Sequence, residues 1–219
     1  MAGTSPAMTA GLPARELAPV REARPKRWSG ATIALHWTAA AIILALIALG
    51  WAMRYGGIDA ARTFDLYQQH KSLGFIALVL TAARLFARAV AATPPRPFAA
   101  RWERGLVAVV QGLTYLLTIS AIASGWLVVS ASPLPIPTRF FSLFTIPNVA
   151  APDAALFAGA SRAHQIAAWS IAGLVALHIA GALKHHFVDR DDTLARMLPR
   201  RSASFDPPPG SPRGGVDAR

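Results

Sequence analysis

The chain has 219 residues, of which 53% are hydrophobic and 15% charged, and its formal net charge is +11. Its mean hydropathy of +0.38 is too high for an ordinary soluble domain of this size. The absence of cysteine excludes disulfides, iron–sulfur clusters and covalent cofactor attachment through a CxxCH motif.

In chain order, residues 1–30 are rich in Pro, Ala and Arg and lack the compact apolar core of a signal peptide. They read as a disordered cytoplasmic tail. Four runs then approach the roughly 20 apolar residues that a bilayer crossing needs: ATIALHWTAAAIILALIALGWAM (31–53), SLGFIALVLTAARLFARAV (72–90), GLVAVVQGLTYLLTISAIASGWLVV (105–129) and RAHQIAAWSIAGLVALHIAGALKHHF (162–187). None alternates with a period of two, and only helices satisfy the backbone of such runs in lipid. The fold expected is therefore all-α, a four-transmembrane-helix bundle over residues 31–190. Between the third and fourth runs lies an apolar, Pro-rich loop, SPLPIPTRFFSLFTIP, expected to fold over the outer end of the bundle or lie in the interface. Residues 191–219 read as a second, largely disordered cytoplasmic tail.

Charge sets the orientation. Residues 1–30 hold five Lys or Arg, residues 84–104 five and the segment from Lys184 onward seven, against three in 54–71 and two in 131–163. The positive-inside rule then places both termini inside, N-in and C-in. The basic excess is assigned to the membrane and not to nucleic acid.

Histidine is costly within a span and marks function there. His164 and His178 are 14 residues apart, so about 21 Å along one helix and about 40° short of four full turns. Both leave nearly one face of the fourth helix, His164 near its outer end and His178 towards the inside. His36 lies two turns into the first helix from the inside, and His70 is expected just at the outer start of the second. The depths therefore pair His36 with His178 and His70 with His164. A single such histidine can merely bond a neighbouring carbonyl. Two depth-matched pairs roughly 20 Å apart suit the axial ligation of two six-coordinate, non-covalent haems b. Gly74, Gly112, Gly125, Gly173 and Gly181 would let a flat macrocycle approach the backbones. A His-based membrane metal carrier is the alternative of a different class. Carriers usually add carboxylates, and the four spans contain no Asp or Glu.

These residues resemble the bacterial cytochrome b561 family of two-haem, four-helix inner-membrane proteins. The resemblance rests on RWSGATIALHW, QQHKSLGFIALVLTAARLFAR, TPPRP, LTYLLTISAIASGWLVV, AHQIAAWSIAGLVALHIAGALKHHF and DDTLARMLPR, over about residues 27–200. It implies that His36, His70, His164 and His178 are the axial iron ligands, and that the protein is a multi-pass protein of the bacterial inner membrane. It also implies electron transfer between an outer-side small-molecule or protein donor and the quinone pool. In one branch superoxide is oxidised and ubiquinone reduced. The alternative is a non-catalytic electron-transfer subunit docking a dehydrogenase or soluble cytochrome.

Arg84 follows His70 by 14 residues and falls at the depth of the inner haem, where it either meets a propionate or snorkels to the headgroups, as Arg88 is expected to do. Lys71 and Arg162 are outer propionate partners or interfacial anchors, and with Arg139 they form an outer positive rim that would steer superoxide. His185, seven residues after His178, faces the bundle near the inner surface while His186 turns away. By the resemblance, His185 lies near the ubiquinone, with Arg96 or Arg101 of the inner loop as basic partners; read without it, His185 is a polar residue at headgroup level.

Overall fold

The computed structural model describes residues 28–90, 101–134 and 136–199. Residues 1–27 of the expected 1–30 tail, most of the 191–219 tail and Arg96 lie outside the described residues. The described chain forms four long helices, α1 (Gly30–Tyr55), α2 (Ala60–Val90), α3 (Arg101–Ala131) and α4 (Ala154–Phe187), and each is long and apolar enough to cross a membrane. Local chemistry marks the ends. Ser29 caps α1 by accepting from Thr32 N–H at 3.1 Å, and Asp153 caps α4 by accepting from Leu156 N–H at 2.7 Å. Asp59 accepts from Arg62 N–H at 2.9 Å where α2 begins. Between α1 and α2 the chain reverses through Gly57 at φ +58, a conformation that disfavours a side chain.

α2 and α4 are longer than their apolar runs, starting at Ala60 and Ala154. The polar stretch before His70 contains neither Pro nor Gly between Ala60 and Leu73, so the backbone ladder simply continues. His70 is therefore not at the outer start of its helix. It lies ten residues in, about 15 Å, as does His164 in α4.

α1 packs along α2 and α3 along α4, and α2 meets α3 over a shorter stretch. The buried positions are mostly small: Ala39, Ser72, Ala77, Ala121, Ser124 and Ala167. Small residues let helix backbones approach closely where lipid supplies no hydrophobic drive. One apolar cluster, Ala121, Ala167 and Ile171 with Ile43, Ile47 and Val175 against it, joins α1, α3 and α4 at mid-height. Large apolar side chains such as Phe86, Val79 and Leu116 point outward, as a lipid-facing surface requires.

The loop between α3 and α4 folds back onto its end of the bundle, one of the two arrangements expected. It carries a two-stranded antiparallel hairpin, β1 (Thr138–Phe140) and β2 (Phe144–Ile146), with Arg139 opposite Thr145. Ser72 Oγ on α2 donates to Gln68 O and Arg139 O and accepts from Phe141 N–H at 3.0 Å. Trp126 Nε1 on α3 donates to Pro147 O at 3.1 Å.

Candidate functional site

The four span histidines meet in two couples. His70 on α2 faces His164 on α4 with ring centroids 6.2 Å apart. His36 on α1 faces His178 on α4 at 6.0 Å. Both couples bridge the seam between the α1–α2 hairpin and the α3–α4 hairpin, at the two depths expected.

The couples fit axial ligation of a metal. A metal–imidazole bond of about 2 Å on each side places two ring centroids roughly 6 Å apart. His164 Nδ1 lies 2.7 Å from the Ala121 carbonyl, so this nitrogen carries the proton and Nε2 keeps the lone pair. A buried ring nitrogen of its partner, His70 Nδ1, has no hydrogen-bond partner. A Cβ at Gly125 would lie 3.1 Å from His164 Cε1 and Nδ1, so that glycine lets the ring lie against α3. Open space lies beside Gly74, Gly112, Gly173 and Gly181.

Arg84 sits at the His36–His178 couple. Its Nη2 is 3.3 Å from His36 Nδ1. A guanidinium can only donate, so His36 accepts there with its lone pair. Arg88 pairs with Gln111 Oε1 instead of simply reaching outward. Trp28, Leu35, Arg84, Arg88, Gln111 and Tyr115 line a cleft at this end of α1, α2 and α3.

The remaining expected residues are more dispersed. Lys71 Nζ reaches Pro137 O of the α3–α4 loop at 3.4 Å, and Arg162 and Arg139 are exposed. His185 is half-buried at the C-terminal end of α4, and its Nδ1 lies 3.0 Å from Asp189 Oδ2 and 2.9 Å from Asp191 Oδ2. His186 stacks edge-on against Phe187, and Arg101 is exposed at the start of α3. Sequence reasoning missed the two aspartates, although HHFVDRD places carboxylates four and six residues after His185. It also missed the Ala121 carbonyl, for which the chain offers no signal.

Four apolar helices enclosing facing histidine couples define a membrane haem protein, and the family comparison agrees. Residues 27–200 match the family described as prokaryotic cytochrome b561, and the chain belongs to it, a family of membrane haem b electron-transfer proteins. The chain is 32% identical over 184 residues to cytochrome b561 homolog 2 of Escherichia coli (strain K12), covering 83% of this chain and 96% of the relative. Against cytochrome b561 homolog 1 of the same organism the identity is 27% over 185 residues, covering 80% and 98%.

Proposed function

We propose that the protein is a di-haem b cytochrome of the bacterial inner membrane that passes electrons between an outer-side reactant and the quinone pool, with superoxide as the outer reactant and ubiquinone as the acceptor. The observation that carries this reading is the pair of histidine couples at opposite depths of one apolar bundle. His70 and His164 would hold the outer haem and His36 and His178 the inner one. Each haem supplies a reversible one-electron carrier inside the membrane.

The protein's own groups prepare these places. The Ala121 carbonyl fixes the His164 tautomer. Arg84 places a fixed positive charge beside the inner couple, where a propionate carboxylate is its natural partner. Moving to that carboxylate would also free the His36 ring. The skew of Lys and Arg supports both termini inside. Lys71, Arg139 and Arg162 give the outer rim positive charge, which attracts an anionic reactant. At the inner end, His185 offers an imidazole to a quinone carbonyl.

The test is superoxide consumption by the purified, haem-loaded protein with a short-chain ubiquinone. Quinol formation coupled to superoxide loss, and abolished by His70→Ala, is the expected result. No quinol with both haems in place would reduce the protein to an electron relay for a docked dehydrogenase or soluble cytochrome.

A further inference from the structure

The inner end of α4 carries a second cluster of titratable groups. After Phe187 the chain turns back on the helix: Val188 and Asp189 donate their N–H groups to Lys184 O at 2.8 and 3.1 Å, and Asp191 donates to His185 O at 3.0 Å. Arg190 adopts the left-handed region, φ 52, between the two aspartates. The turn brings both carboxylates to one imidazole, with oxygens 3.0 and 2.9 Å from His185 Nδ1. Neither contact has the geometry of a hydrogen bond, so the carboxylates act on the ring through their charge.

The carboxylates are themselves held. Lys184 Nζ lies 2.6 Å from Asp189 Oδ2, Thr193 N–H donates to Asp191 Oδ1 at 2.8 Å, and Glu103 on α3 acts on Lys184 through its charge. The segment continues through a 3₁₀ turn, Ala195–Met197. Trp37 Nε1, next to His36 on α1, donates to Met197 O at 2.7 Å. Residues 189–198 therefore form a strap from the end of α4 to α1.

An imidazole whose Nδ1 faces two carboxylates is biased by their charge to carry a proton on that nitrogen and to keep that orientation, and Nε2 is left to exchange a proton with a substrate. We propose that Asp189 and Asp191 are positioning residues that hold His185 as the proton donor to a quinone at the inner end of the bundle. This rests on the quinone reading above. The quinone takes up two electrons and two protons to become the quinol. The electrons come from two one-electron oxidations of the outer-side reactant. The protons leave His185 Nε2 one after the other, and the ring is reprotonated each time from the inner aqueous phase.

The experiment uses the full-length, haem-loaded protein, reduced beforehand and mixed rapidly with either short-chain ubiquinone or ferricyanide, which takes an electron without a proton. Quinone binding is followed separately by tryptophan fluorescence. In Asp189→Asn/Asp191→Asn, and in His185→Asn, oxidation by quinone is expected to slow on the order of tenfold or more as an oriented proton donor is lost. For the double variant, quinone affinity and the ferricyanide rate stay at the wild-type values, and uptake of protons, read by a pH-indicator dye, slows in step with quinone reduction. Wild-type quinone rates in the double variant would overturn the proposal and leave the quinone reading standing. Loss of quinone affinity or of ferricyanide oxidation would overturn it in favour of a structural role for the strap. A wild-type protein oxidised by ferricyanide but not by quinone would overturn the quinone reading itself, and this proposal with it.

Discussion

His164 donates its Nδ1 proton to the Ala121 carbonyl and rests against Gly125, so two residues of α3 aim a ring that belongs to α4. The same glycine sets a sharp condition. A methyl at residue 125 would come within 3.1 Å of the imidazole, and a larger side chain has to displace it. Gly125→Leu is expected to cost about 1–3 kcal/mol in overpacking and to abolish haem binding at the outer couple while leaving the inner one. Haem quantification together with the reduced spectrum checks both parts. The four histidines were legible in the sequence because helical spacing converts residue number into depth. Their supporting contacts were not, since a backbone carbonyl has no residue type to betray it.

Among the elements, the strap after α4 departs furthest from the sequence reading. Residues 191–219 look tail-like by composition, yet 189–198 are engaged with Lys184, His185, Thr193 and Trp37. The reason is visible in DRDDTLARM, where short polar side chains bond nearby backbone and leave apolar periodicity with nothing to report. Partial burial works against ionisation of Asp191, but the backbone and side-chain hydrogen bonds of Thr193, with the charge of His185, outweigh it and hold the carboxyl below its ordinary value of 3.8. A carboxyl depressed by folding stabilises above its unfolded value and ceases to do so as pH falls through the lower folded one. The strap is therefore expected to stay latched on acidification to 3.8 and to loosen only below it. Hydrogen exchange at Asp191 and Thr193 amides across that range checks this, and Asp191→Asn should abolish the transition. At α2 the mismatch runs the other way: the helix extends beyond its apolar run, because the polar turns before His70 carry a weaker hydropathy signal.

At the scale of the whole molecule, two helical hairpins face each other across the histidine couples, and small buried residues and open space beside glycines replace a conventional core. The four-helix architecture was legible because lipid leaves so few backbone solutions. The orientation rests on the distribution of Lys and Arg, and the cysteine-free chain makes it simple to test. A single cysteine at Leu143, exposed in the outer hairpin turn, should react with an impermeant maleimide in intact cells. One at Ser202 should react only after lysis. The reverse pattern would invert the topology.

The central claim is that each histidine couple holds one haem b. The measurement that tests it most directly is the dithionite-reduced minus oxidised spectrum of the purified protein, with pyridine-haemochrome quantification. Two non-covalent haems b per chain are predicted, with His178→Ala losing the inner haem and His70→Ala the outer. A folded wild-type preparation with one haem or none, or a His178→Ala protein that keeps both, would contradict it.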